Sequence, residues 1–293
     1  MLKSIGALLI FAMLLSFGCQ TKDQAADIPT YLYIPSFTIE NDKNQSGMEI
    51  YSSTISDVWV YLDNDNQGAY ELPALIPIVE SGNHRLSIRP GIKNAGISAS
   101  RRPYPYYKLY DLGVHKLVPG TVDTILPITY YDDDPRSITI AWEEGFEGPG
   151  ADYTINPTSD TIVNIVDSVN YPELVFKDAR TGQIILTEPG FRFEMISPTF
   201  TNLPTNSIPI YLEFNYKSTI DFIVGIYMDN KSQQIPIYVV KEQENWNKIY
   251  LDFSTYIQSG GPGINFNIFI GFTRSSNIPE VEMYLDNIKL IHY

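Results

Sequence analysis

The stretch IPIYLEFNYKSTIDFIVGIYMD, residues 208–229, decides how the chain is read. It holds two runs of Ile, Val, Leu, Phe and Tyr, in which Ile210, Leu212, Phe214 and Tyr216, then Phe222, Val224, Ile226 and Met228, recur at every second position. A period of two belongs to a strand with one buried face, and β-branched and aromatic side chains suit a pleated surface. The polar break at Lys217, Ser218 and Thr219 predicts a turn between the two strands. Working outward, GFRFEMI (190–196), QIPIYVVK (234–241), NKIYLDFSTYI (247–257), NFNIFIGFTR (265–274) and VEMYLDNIKLIHY (281–293) repeat the pattern. Short strands of this kind, separated by turn residues and with almost no helical periodicity, predict a β-sandwich.

The earlier half reads the same way. TYLYIPSFTI (30–39), DVWVYLD (57–63), AYELPALIPIV (69–79) and HRLSIRPGI (84–92) are strand-like, with turns at NDNQG (64–68) and SGN (81–83). Between Gly91 and Asp111 the pattern stops: Arg101, Arg102, Tyr104, Tyr106, Tyr107 and Tyr110 are interrupted by Pro103 and Pro105, which no central strand tolerates. Tyr and Arg are enriched in binding hot spots, so these six residues are expected to bind a partner. The alternative is a Pro-rich loop whose rings lie on the domain's own core. Asp132 to Pro135 then mark a boundary, predicting an all-β chain with a small N-terminal β-sandwich over 31–134 and a C-terminal jelly-roll β-sandwich over 135–293.

The 293 residues carry a formal charge of −14 and a single cysteine. Such a balance repels nucleic acid, whose binding rests on neutralised phosphates, and one cysteine excludes a disulfide within the chain. That cysteine, Cys19, ends the stretch MLKSIGALLIFAMLLSFGC, in which Lys3, the apolar run 5–17 and Gly18 match a secretory signal peptide. The run is shorter than the ~20 residues of a membrane span. Residues 1–18 are thus expected to be removed and 19–30 to form a flexible tether.

LSFGC resembles the lipobox of bacterial lipoproteins, which implies a covalent lipid on Cys19, diacylglycerol on sulfur with further acylation such as palmitate. Lys22 and Asp23 in QTKDQ resemble the export signal of Bacteroidota surface lipoproteins, which implies an outer-membrane location facing outward. The segment from Trp59 to Gly91, with its D-x-x-x-x-G turn and G-x-H-x-L-x-I-x-P-G run, resembles a PEGA-type module. From residue 135 onward, GFEG (145–148), the two strands quoted first, WNKIYLDFS (246–254) and VEMYLDNIKL (281–290) resemble, in order, a jelly roll of the galactose-binding-like, carbohydrate-binding-module type. That resemblance implies that Glu147 and Asp286 hold a structural Ca²⁺, hard oxygen ligands suiting such an ion, with no other cofactor required. Glycan-binding members use exposed aromatic rings. Trp142, alternating with Ile138 and Ile140, is expected in the core and Trp246 in a packing position, leaving Tyr153, Tyr171 and Tyr227 as platforms.

Catalytic patterns are sparse. His84, His115 and His292 have no zinc-ligand spacing, GISAS (96–100) lacks the second glycine of a nucleophile elbow, and no phosphate-cradling loop occurs. Glu143, Glu144, Glu147, Asp221 and Glu282 supply carboxylates, but no pairing into an acid and a base can be read from one sequence. The expectation is a non-catalytic surface lipoprotein: an accessory or scaffold subunit on an outer-membrane β-barrel or other envelope protein, or alternatively a glycan-binding subunit of a polysaccharide-uptake system.

Overall fold

A computed structural model describes residues 28–40, 53–132, 138–187, 190–278 and 280–293. The signal segment, Cys19, Lys22, Asp23 and the boundary expected between 134 and 135 lie outside the described residues. Among those residues, strands from 30 to 129 pair with one another and strands from 139 to 292 do likewise. A lone bridge between Asn94 and Tyr250 joins the two sets.

The N-terminal sandwich closes two small sheets on each other. In one, Thr30–Ile34 lies between Ala74–Ile78, antiparallel, and Val122–Thr124, parallel. In the other, Asp57–Leu62 lies between Asp65–Glu71 and Gly82–Lys93, and the latter also pairs with Arg101–Pro103 and Tyr110–Leu117. Alternation sends Leu32, Ile34, Ile76, Val58, Val60 and Ile88 into a shared core. Asp63 and Asn64, at φ 51° and 74°, make the two-residue reversal before Asp65, a conformation that suits Asp and Asn because their short polar side chains bond the local backbone. Gly91 is required for a different reason: a Cβ there would stand 2.1 Å from the ring of Trp59.

The C-terminal sandwich is a jelly roll. Its back sheet orders Asn164–Asp167, Arg180–Leu186, Val281–His292, Ile210–Ser218 and Gln243–Asp252, with Thr139–Glu144 also on Val281–His292. Its front sheet orders Thr154–Ile155, Arg192–Ile196, Phe266–Thr273, Phe222–Met228 and Gln233–Val240. Phe266, Ile268, Ile270 and Phe272 point inward to meet Leu212, Phe214, Met283 and Leu285. Trp142 is in this core, as expected, but not by simple alternation: a bulge between Ile140 and Trp142 leaves Ile138 on the interdomain cluster while Trp142 turns inward, its indole N–H donating to the Asp152 carbonyl at 2.8 Å.

The Arg/Tyr/Pro segment requires a correction. Tyr104, Tyr106 and Tyr107 are buried, and what they meet is the chain's own second sandwich: with Tyr131, Tyr211, Tyr250, Ile92 and Ile291 they form a separate core between the two domains. Tyr104 sits edge-on to Tyr211 at 5.2 Å and tilted to Tyr250 at 4.8 Å. A buried tyrosine needs a partner for its hydroxyl, and the back sheet supplies one in Glu213, which accepts from Tyr131 and, at 3.3 Å, from Tyr104. The Tyr107 and Tyr250 hydroxyls bond at 2.8 Å, and Tyr106 donates to the Ile291 carbonyl at 3.2 Å. Burial pushes the phenols of Tyr104, Tyr107 and Tyr131 well up, so all three stay neutral. Arg101 reaches Asp57 at 3.1 Å, Arg102 reaches Asp252 across the interface at 2.7 Å, and Tyr110 packs on the N-terminal core. Pro103 and Pro105 break the ladder so that this segment leaves its sheet and fills the gap between domains.

Candidate functional site

Because Phe193, Met195, Phe222, Val224, Ile268 and Ile270 face the core, strand alternation turns Arg192, Glu194, Tyr227, Phe269 and Gly271 to the outer face of the front sheet. A trough of ≈ 450 Å³ runs there, lined by Arg192, Glu194, Ile223, Gln234, Phe269 and Gly271 among others. That volume lies within the range of small-molecule sites.

Glu194 organises the face. Its Oε1 accepts from Asn156 Nδ2 at 2.5 Å and Tyr227 Oη at 2.8 Å, and its Oε2 accepts from Gln234 Nε2 at 2.7 Å and Arg192 at 3.3 Å. Four side chains from four different segments are therefore held in fixed orientation around one buried carboxylate, an arrangement that preorganises polar groups. Burial, then the hydrogen bond to Glu194, push the Tyr227 phenol up to about 12, which keeps it a donor. The Tyr227 and Phe269 rings stand 5.4 Å apart. Phe269 lies over Gly225, where an added Cβ would come within 2.6 Å of the ring and 2.3 Å of the Ile235 carbonyl. Gly225→Ala is expected to cost about 1–3 kcal/mol by overpacking, measured by urea denaturation; a variant as stable as the parent would show that the strand yields.

The carboxylates offered by the sequence for acid–base work are engaged elsewhere. Glu143 pairs with Lys289 at 3.1 Å, Glu144 accepts the Phe146 and Asp152 amides at 2.7 Å each, and Glu282 accepts from the Tyr284 hydroxyl at 3.0 Å. Asp221 does line the trough, but its hydrogen bond to Lys241 at 2.6 Å holds it below the usual carboxylate range, the opposite of what a catalytic acid needs. His84 and His115 face each other in register and bond Asp63 and Asp123, while His292 is in the other sandwich.

Glu147 and Asp286, paired by resemblance, hold separate hydrogen-bond partners, and the Glu147 charge acts on the Asp286 carboxyl. Glu147 accepts the Ala179 and Arg180 amides at 2.9 and 2.6 Å; Asp286, fully buried, accepts from Thr181 Oγ1 at 2.7 Å and the Asn287 amide at 2.8 Å. Glu147, Asp178 and Asn287 line one cavity of ≈ 290 Å³. Burial above all, then the negative charges of Asp178 and Glu147, push the Asp286 carboxyl up to about 8. Hard oxygen donors from three neighbouring carboxyl groups fit a cation of the Ca²⁺ type. Among the described residues no group of three or more His, Cys, Asp or Glu assembles at metal-binding distance, so any such ion would need carbonyl or water oxygens as well.

Of the three expected platforms, Tyr227 bonds Glu194 and stands beside Phe269 without lining the trough itself, Tyr153 packs on Phe146 at 5.9 Å, and Tyr171 is exposed. Trp246 is half-buried against Phe176 at 5.2 Å. Sequence reasoning passed over Glu194, Arg192, Asn156, Gln234 and Phe269. The available signal was the outward half of the alternation in GFRFEMI and NFNIFIGFTR, which puts Glu and Arg beside Gly and Phe on one face.

No protein-family model matches the chain, and no curated protein matches it. Solved structures similar to it include a family 61 carbohydrate-binding module in complex with β-1,4-galactotriose, at 11% identity and TM-score 0.35, covering 51% of this chain and 94% of that one. The family 11 carbohydrate-binding module of Clostridium thermocellum, in complex with a β-1,3-1,4-mixed-linked tetrasaccharide, is 17% identical with TM-score 0.34, covering 52% and 94%. The enzymatically active domain of bacteriophage CBA120 tailspike protein 4 is 12% identical with TM-score 0.39, covering 59% of this chain; the match spans 26% of the tailspike chain.

Proposed function

We propose that this protein is a non-catalytic glycan-binding module whose site is the outer face of the front sheet. The observation that carries it is Glu194: a buried carboxylate orienting Asn156, Tyr227, Gln234 and Arg192 beside the Phe269 ring. Sugars present hydroxyls that need fixed donors and acceptors and C–H faces that pack on rings. The scaffold reading drew on the tether, the sparse catalytic patterns and the Arg/Tyr segment as a docking surface; that segment is spent on the interdomain core, and the trough takes its place as the binding feature. The same proposal includes a lipid on Cys19 as anchor, an outward-facing outer-membrane location directed by Lys22 and Asp23, and Ca²⁺ as a structural ion near Asp286.

Affinity electrophoresis and arrays of plant, algal and host glycans test it. A bound glycan is expected to lose about 10- to 100-fold in affinity in Glu194→Gln, the range for hydrogen bonds to a charged group. Equal loss in Tyr227→Phe would place the hydroxyl in the same array. Failure to bind any of these glycans, with the protein folded, sinks the reading.

A further inference from the structure

The corner of the N-terminal sandwich where the chain enters carries exposed aliphatic side chains that neither the trough nor the interdomain core uses. Ile28, Val79, Val118 and Val122 are 65, 56, 41 and 58% exposed. Backbone contacts gather them: Thr30 pairs with Ile78 and Tyr31 with Val122, the Gly120 amide donates to the Pro29 carbonyl at 3.0 Å, and the Thr121 amide donates to the Val118 carbonyl at 3.2 Å. A Cβ on Gly120 would meet Ile28 at 3.6 Å. The exposed residues Tyr33 and Leu75, a register pair, continue the apolar stripe along the same sheet.

We propose that this corner rests on the lipid surface of the membrane, with Ile28, Val79, Val118 and Val122 entering the interface between headgroups and acyl chains. The inference rests on the lipid at Cys19, part of the reading above. Ile28 follows Cys19 by nine positions, and at no more than about 3.6 Å per step the two are at most ~32 Å apart. The corner therefore cannot leave the neighbourhood of the bilayer. The chain is acidic overall, −14, and the charged residues directly adjacent to these four uncharged side chains, Asp27, Glu80 and Asp123, are all acidic. Attraction to anionic headgroups is thus not the drive; burial of apolar surface is, helped by Tyr33, a residue type enriched at bilayer interfaces. Contact of this origin is insensitive to salt. The consequence is orientation: the anchored sandwich lies against the membrane, and the interdomain core transmits that pose to the glycan face.

The test uses the full lipidated chain in vesicles of phosphatidylethanolamine and phosphatidylglycerol. Cys19 is the single cysteine and its sulfur carries the lipid, so Val122→Cys offers one thiol for a fluorophore, and Val169→Cys, 88% exposed in the other sandwich, is the reference. With lipids brominated on the acyl chains, the label at 122 is expected to lose roughly half its emission or more, as befits a probe at interfacial depth, in low and high salt alike, while that at 169 is unchanged. Equal behaviour at both positions overturns the proposal. So does a label at 122 shielded from a water-soluble quencher yet untouched by brominated lipid, the pattern of a protein covering the corner. The mass of the N-terminal peptide is read in the same preparation: an unlipidated Cys19 removes the anchor on which the inference rests, whereas a lipidated chain without quenching at 122 refutes the docking alone.

Discussion

Glu213→Ala is expected to destabilise the protein by about 3–5 kcal/mol, the cost of removing one partner from a buried ion pair. Glu213 and Lys248, both buried, meet at 3.3 Å on the back sheet beneath the tyrosine core. The same carboxylate accepts from Tyr131 and Tyr104, so one truncation strips an acceptor from two phenols of the first domain and a counter-charge from a lysine of the second. Burial already pulls the Lys248 ammonium below its ordinary pKa, with Glu213 opposing that shift; without Glu213 the charged form loses its nearest support. Because these contacts cross between domains, chemical denaturation followed by tyrosine fluorescence should show a single transition moved to lower denaturant in both. Glu213→Gln, which keeps an acceptor for the hydroxyls, is expected to cost less. A loss below about 1 kcal/mol in the alanine variant, the worth of an exposed pair, would show that the carboxylate is solvated.

In chelator, stability is expected to fall as pH rises from about 4 to 8, because of Asp286. Its ordinary pKa is 3.8, and burial with the neighbouring Asp178 and Glu147 charges raises it to about 8 in the fold. Below 3.8 the group is protonated folded and unfolded, and its contribution is fully present. Between the two values unfolding releases a proton, so rising pH favours the unfolded chain, until above 8 the whole contribution is gone. A shift of that size is worth on the order of 5 kcal/mol. Asp286→Asn keeps an oxygen for Thr181 and carries no charge, so it should flatten the profile and exceed the parent in stability at pH 8. Millimolar Ca²⁺ should restore the parent at pH 8, since a divalent cation supplies the missing positive charge, and should leave the Asn variant unmoved. Calorimetric melts with Ca²⁺ and with EGTA, at pH 5 and pH 8, measure all four. An unchanged pH slope in the variant defeats the assignment to Asp286, and identical melts with and without Ca²⁺ defeat the ion.

Much of this architecture is local and was legible. The alternation in residues 208–216 and 219–229 returns as two front and back strands with Leu212, Phe214, Val224 and Ile226 inside. Sequence reasoning placed Trp142 in the core, although a bulge rather than its spacing with Ile138 and Ile140 turns it inward, and it put at 64–68 a turn that Asp63 and Asn64 make. It misassigned Tyr104, Tyr106 and Tyr107, because a tyrosine suited to another protein's surface is equally suited to the chain's own second domain. Composition says that such rings want to be buried with their hydroxyls paired; it does not say by whom.

What the sequence alone determined is periodicity and chemistry: an acidic all-β chain in two sandwiches, with one cysteine set at the end of a signal-like run. Tertiary structure decided every site that closes across long sequence distances. Glu194 gains its meaning from Asn156 and Gln234, Asp286 from Thr181 and Glu147, and the apolar corner from residues 28, 79, 118 and 122. The physical reason is that the pleat fixes which face a side chain takes within a few residues, whereas what lies across that face depends on which distant strands the sheets bring beside it.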